Sequence, residues 1–111
     1  MRARYNLWLE REGHVVLSVW RVRLLEAIAA TGSITAAAEE MQVPYRRAWE
    51  KVQEMEAGMG RSLIETEVGG AGGGGASLTS DAQDLIKRFK AFAEGMDEEI
   101  STRFQRTFQK D

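Results

Sequence analysis

The chain has 111 residues, a formal charge of −2, 43% hydrophobic and 29% charged residues, and no cysteine. That length suffices for one domain around one core, and the missing cysteines exclude disulfides and thiolate metal sites. No apolar run approaches the ~18 residues of a membrane span, and the opening MRARYNLWLERE lacks the apolar core of a signal peptide, so a cytoplasmic protein with no membrane partner is expected.

In chain order, Tyr5 to Glu10 alternates apolar and polar residues, Glu12-Gly13 offers a turn, and His14 to Leu17 is a second β-prone run. This predicts an N-terminal hairpin over residues 1–17, with Trp8 packing on the last helix. His14 is the single histidine and reads as a plain strand or turn residue, because a metal or catalytic site needs convergent groups. Ser18 can cap the next helix. Trp20, Leu24, Leu25, Ile28 and Ala29 recur at helical spacing, with Arg21, Arg23 and Glu26 outside. Gly32 suits the left-handed position after a helix.

Ser33 caps a second helix with a buried stripe of Ile34, Ala37, Ala38 and Met41. Its alanines permit close approach of the next helix. Gln42-Val43 makes a turn, and Pro44 is expected at the first position of a third helix, where its missing N–H costs nothing. That helix runs to about Ala57, burying Ala48, Val52 and Met55 and exposing Tyr45, Arg46 and Arg47 on its first turn, with Lys51 close by. Two readings stand. A helix-turn-helix over 34–57 would present these residues to duplex DNA, Arg to guanine or phosphate and Tyr to the backbone. A plain surface helix would pair its arginines with Glu50. The segment 26–60 has three basic and six acidic residues, so any DNA-binding patch must be local.

Leu63 to Val68 alternates as a strand, a glycine run follows from Gly69 to Gly75, and Ala76 to Thr79 returns. Strand, tip and strand directly after the third helix describe a wing over 62–79. The glycines lack the lysine of a nucleotide-binding loop, and a strand rather than a helix follows them. Ser80-Asp81-Ala82-Gln83 matches a capping box. Leu85, Ile86, Phe89, Phe92, Met96, Ile100, Phe104 and Phe108 then recur every three or four residues over 81–109. A continuous helix there would be roughly 43 Å long at ~1.5 Å per residue, with its far half uncovered. Gly95 is the candidate break, with Asp97 capping a second piece. A symmetric dimer through Phe92, Met96, Ile100, Phe104 and Phe108 is the simplest cover, and a hairpin strand carrying Tyr5, Leu7 and Trp8 is the intramolecular rival.

An enzyme is not expected. One histidine, no cysteine and no convergent carboxylates leave no base and nucleophile to assign, and Glu39-Glu40 and Glu98-Glu99 diverge on their helices. No cofactor or metal is assigned.

The stretches RVRLLEAIAATGSITAAAEEMQVPYRRAWEKVQEM and GGAGGGGASLT closely resemble the N-terminal DNA-binding domain of ModE-type molybdate-responsive regulators, a winged helix-turn-helix of LysR-like type. The resemblance covers about Arg21 to Phe92. It implies a single mainly α domain with small β, a hairpin in front and a long last helix behind. It implies that Ser33 and Thr35 lie at the DNA backbone and that Pro44, Tyr45, Arg46 and Arg47 enter the major groove. Gly72, Gly73 and Gly74 of the wing would lie along the backbone or minor groove, and the dimer would form through the hairpin side and the last helix. Where family wings often carry Lys or Arg, this chain has Ala71 and Ser77, so an uncharged wing is expected. The 111 residues leave no room for the molybdate-binding region, so molybdate binding is not expected in this chain. The resulting expectation is a dimeric DNA-binding transcriptional regulator. The alternative is an interaction module that pairs with a full-length regulator and has little DNA affinity of its own, a reading motivated by the pI of about 5.5.

Overall fold

The computed structural model describes residues 1–67 and 74–108. The hairpin forms as β1 (Trp8–Arg11) and β2 (His14–Ser18), antiparallel, with an irregularity between Leu9 and Glu10. Glu12 and Gly13 both take positive φ, 52° and 81°, the geometry of a two-residue turn matched to strand twist. β2 is the buried strand, through Val16 and Leu17, whereas β1 is exposed throughout. The Trp8 indole N–H donates to Glu10 Oε1 at 2.8 Å, and Trp8 is 45% exposed.

Helix α1 (Val19–Thr31) starts where Ser18 Oγ accepts from the Arg21 amide and ends where Gly32 turns left-handed at φ 76°. The buried face holds Val22, Leu24, Leu25, Ala27 and Ile28. Two sequence expectations are corrected here. Ala29 is exposed, and Arg21 is buried, with 7% of its surface accessible. The reason is a partner distant in sequence: Arg21 Nη2 donates to Glu54 Oε1 at 2.7 Å.

Helix α2 (Ile34–Glu40) is capped by Ser33, whose Oγ accepts from the Ala36 amide at 2.9 Å. The turn to α3 (Tyr45–Met59) is closed by Gln42 at φ 59° and by the Val43 amide on the Ala38 carbonyl at 3.0 Å. Pro44 is the N-cap of α3, not its first helical residue, because its ψ of 148° is extended. Its carbonyl still accepts from the Arg47 and Ala48 amides at 3.0 and 3.2 Å. The helix also runs past Ala57 to Met59, and Gly60 ends it left-handed at φ 66°. Ala37, Ala38 and Ala48 are buried where α1, α2 and α3 meet. Leu24, Leu25, Ile28, Val52 and Met55 fill the centre with no measurable exposure, each contributing roughly 1.5–3 kcal/mol of burial.

The wing strands β3 (Ile64–Glu67) and β4 (Gly75–Leu78) pair antiparallel, Ile64 opposite Leu78 and Glu67 opposite Gly75. Leu63 and Ala76 anchor them in the core. Helix α4 (Ser80–Ala93) is capped by Thr79, whose Oγ1 accepts from the Ala82 amide at 3.1 Å, so the cap lies one residue before the expected Ser80. Gly95 at φ 81° then breaks the helix, and α5 (Met96–Phe108) follows. Asp97 sits inside the first turn of α5, whose start is closed by the Glu99 amide on the Gly95 carbonyl at 3.0 Å. No residue of α5 is buried. The segment Met1 to Tyr5 lies beside it, sharing a groove with Ile100 and Phe104. Lys90 of α4 pairs with Glu26 of α1.

Candidate nucleic-acid interface

Three short segments meet at one end of the domain. The first turn of α2 supplies Ser33 and Thr35, the start of α3 supplies Tyr45, and the wing supplies Thr66, Glu67, Gly74 and Gly75. Together they line a depression of about 340 Å³. The junction is built by backbone. The Ala76 amide of β4 donates to the Gly32 carbonyl between α1 and α2 at 2.8 Å, which fixes the wing against the helical unit. A Cβ on Gly74 would fall 2.4 Å from the Glu67 carbonyl oxygen, so the strands converge there only because Gly74 has no side chain. At the other end of the wing, Glu56 accepts from the Leu63 and Ile64 amides at 2.8 and 3.2 Å, tying β3 to the last turns of α3.

The structure thus brings together Ser33, Thr35, Tyr45 and Gly74, four of the residues singled out from sequence. Tyr45 is 50% exposed. Pro44, Arg46 and Arg47 are exposed on the same opening of α3, outside the depression itself. Arg46 Nε donates to Glu50 at 3.2 Å, with 89% of the arginine side chain accessible. The pairing anticipated by the plain surface-helix reading is therefore present, but an exposed pair of this kind is worth only about 0–1 kcal/mol. It orients Arg46 without committing it. Arg47 has no ion pair among the described residues. Lys51 is half-buried and directed to Glu54 at 3.4 Å, so it belongs to the Arg21–Glu54 group rather than to the open first turn. Gly72 and Gly73 lie outside the described residues.

Two features went unread in the sequence. Thr66 and Glu67 share the depression, although nothing about a strand pattern alone says which end of the domain its side chains reach. The described part of the wing is also acidic rather than uncharged, since Glu65 and Glu67 are both exposed on β3. The alternation Ile64-Glu65-Thr66-Glu67 was the available signal. Ile64 is half-buried while Glu65 and Glu67 are solvent-facing, as a period of two requires.

The electrostatics around Glu54 are structural. Partial burial of this carboxylate works to raise its pKa, but the Arg21 hydrogen bond and the Lys51 and Arg21 charges outweigh it and hold the group below the usual glutamate range. Arg21 Nη1 is buried without a partner among the described residues.

The residues expected at a dimer interface lie on α4 and α5. Phe92 is 61% exposed, Phe108 is exposed, and Met96, Ile100 and Phe104 are half-buried. Phe104 and Phe108 stack with centroids 5.3 Å apart. No group of three or more His, Cys, Asp or Glu that could hold a metal occurs among the described residues. No helix among them is long and apolar enough to cross a membrane.

Residues 20–83 match the family model described as bacterial regulatory helix-turn-helix protein, lysR family. The molybdenum-pterin-binding protein MopB of Rhodobacter capsulatus is 38% identical over 103 residues, which is 93% of this chain and 37% of that protein. The DNA-binding transcriptional dual regulator ModE of Escherichia coli K12 is 35% identical over 94 residues, 85% of this chain and 36% of the regulator. The chain thus spans little more than a third of the length of these relatives. Among solved structures, the CbnR_DBD-DNA complex superposes with a TM-score of 0.58 at 20% identity, covering 75% of this chain and 90% of that one. ArgP from Mycobacterium tuberculosis gives 0.54 at 19% identity, covering 76% of this chain and 30% of that one. These two likenesses speak to the fold, a winged helix-turn-helix.

Proposed function

The chain belongs to the lysR family of bacterial regulatory helix-turn-helix proteins, a family of regulators and not of enzymes, and on that premise we propose that it binds duplex DNA as a transcriptional regulator of the ModE type. The observation that carries this reading is the open first turn of α3. Tyr45, Arg46 and Arg47 stand exposed there, with Tyr45 beside Ser33 and Thr35 and against an anchored wing. Arg46 and Arg47 supply guanidinium forks for guanine edges or phosphates, and the Ser33, Thr35 and Tyr45 hydroxyls supply neutral donors to the backbone. Pro44 sets the angle at which the turn opens. Gly74 lets the chain approach a phosphate closely, and the same role is proposed for Gly72 and Gly73. Lys51 contributes charge from behind rather than contact. Work on DNA places the protein in the cytoplasm. The molybdenum in the name of the Rhodobacter relative is not carried over to this chain.

A homodimer is part of the proposal. Phe92, Met96, Ile100, Phe104 and Phe108 leave an apolar surplus along α4 and α5 that Met1 to Tyr5 covers only in part. Two copies would set two α3 helices about one DNA turn, roughly 34–36 Å, apart. Pairing with a full-length regulator through the same face is the second reading, favoured by that same uncovered surface.

The test is fluorescence anisotropy with labelled duplexes from upstream regions at two salt concentrations, using wild type and Arg46→Ala/Arg47→Ala. Wild type is expected to bind with a steep salt dependence, and the double variant to lose at least about tenfold in affinity, the scale of one good bidentate contact. Failure of wild type to bind any duplex at low salt overturns the reading. Unchanged affinity in the double variant removes these arginines from the interface.

A further inference from the structure

We propose that Glu67 on the wing acts as an electrostatic brake on DNA binding, lowering affinity for the phosphate backbone. The inference rests on the DNA-binding reading above and concerns a residue that reading does not use.

Glu67 is the last residue of β3, exposed, and paired with Gly75 across the wing. It borders the same depression as Ser33, Thr35 and Tyr45. Those three offer hydroxyl donors, which suit a phosphate oxygen. A carboxylate at the same wall offers only acceptors and a like charge. Its position is not loose. The Gly74 backbone packs so closely on the Glu67 carbonyl that a Cβ would not fit, and the Ala76 amide pins β4 to Gly32. The backbone that carries the Glu67 side chain therefore cannot readily move away while the wing stays docked. Among the described residues Glu67 has no ion pair to neutralise it. Glu65, two residues earlier and also exposed, adds charge of the same sign.

The consequence is a lower affinity for every duplex, because the phosphate backbone carries the same charge whatever the sequence. Binding to arbitrary sequence draws essentially all its free energy from phosphates. Binding to a preferred site adds base contacts from Arg46 and Arg47 on α3. A penalty applied at the backbone weakens both by the same factor, so the ratio between them stays set by the base contacts. The penalty leaves a protein of net charge −2 dependent on its base contacts.

The experiment measures the affinity of the full chain for a random-sequence duplex at two salt concentrations. The proteins compared are wild type, Glu67→Gln, Glu67→Asp, Glu98→Gln and Arg46→Ala/Arg47→Ala. Removing a like charge near the phosphates predicts that Glu67→Gln tightens binding about threefold to tenfold at low salt, with the gain shrinking as salt screens it. Glu67→Asp keeps the charge and stays near wild type. Glu98→Gln, an equal change of net charge on exposed α5 and outside the depression, is expected to change affinity by less than about twofold at the higher salt, where exposed charges are screened. Unchanged affinity in Glu67→Gln overturns the brake, since the carboxylate then stands off the DNA. Weaker binding also overturns it, since Glu67 then makes a favourable contact. The arginine arm separates the two claims. Loss of binding in the arginine variant with no gain in Glu67→Gln sinks the brake alone, whereas no duplex binding by wild type sinks both.

Discussion

The helical unit α1–α3 and the terminal helix α5 are built by opposite means. In the first, four helix ends are closed by a named group: Ser18 and Ser33 at starts, Gly32 and Gly60 at ends. Seven large side chains there and at its junctions with β2 and the wing are fully buried, from Leu17 to Leu63. In the second, no residue is buried, the start is a glycine break, and the ion pair, Arg103 to Glu99 at 2.7 Å, is exposed and within the helix. The molecule is correspondingly long, 62 Å against 27 and 22 Å. The difference shows where rigidity is spent. The unit that aims Tyr45, Arg46 and Arg47 is held by its own core. The helix proposed for assembly keeps its apolar residues at the surface, where another chain can use them.

That contrast can be broken most forcefully from the core side. Leu25→Ala empties a fully buried site where the helices meet. It is expected to cost about 2–5 kcal/mol of unfolding free energy, measured by urea or thermal denaturation. A loss under about 1 kcal/mol would mean that this unit is not the structural centre.

The next effect is smaller and pH-dependent. Glu54→Gln leaves buried Arg21 without its carboxylate. Because Glu54 is about half exposed, water makes up part of the loss, and the cost at neutral pH is expected at about 1–2 kcal/mol, below the ~3–5 of a fully buried broken pair. The sign follows from the pKa of Glu54, which folding lowers. Its stabilisation is present above the unfolded-state value of about 4.3 and is lost as pH falls through the lower folded value. Acidification from pH 7 to about 3 should therefore cost wild type more than the variant, narrowing the gap between their denaturation midpoints. A gap that is constant or grows on acidification would contradict the assignment.

The smallest effect is expected on α5. Phe104→Ala should change monomer stability by no more than about 0.5 kcal/mol, as for a surface position, while shifting sedimentation equilibrium toward monomer. A large loss of stability with unchanged association would show that Met1 to Tyr5, not a second chain, is the cover that matters.

The legibility of the sequence follows the same division. Elements governed by local rules were readable. Ser18 and Ser33 cap where a hydroxyl precedes an apolar period, Gly32 ends α1, and Gly95 breaks the last helix. The buried stripe of Ala37, Ala38, Ala48, Val52 and Met55 was visible from spacing alone. The misses are residues whose placement depends on distant partners. Arg21 looked like an outer-face residue because its match, Glu54, is 33 positions away. Thr79 caps α4 in place of Ser80 because its hydroxyl also donates to the Ser62 carbonyl at 2.8 Å, a link across the wing base. Pro44 moved one place because its extended ψ serves the turn rather than the helix. At the candidate site, exposure of Tyr45, Arg46 and Arg47 was readable. That Glu67 faces the same depression was not, because it is set by how β4 docks on Gly32.

The most direct measurement is a backbone amide NMR titration of the full chain with duplex DNA. The account predicts that the largest shift changes fall at Ser33 to Ala36 and Tyr45 to Arg47, with the amides near Gly74 and Glu67 following, while β1 and α5 stay nearly unmoved. Perturbations confined to α4 and α5, or none at low salt, would contradict the claim that the open first turn of α3 is what meets DNA.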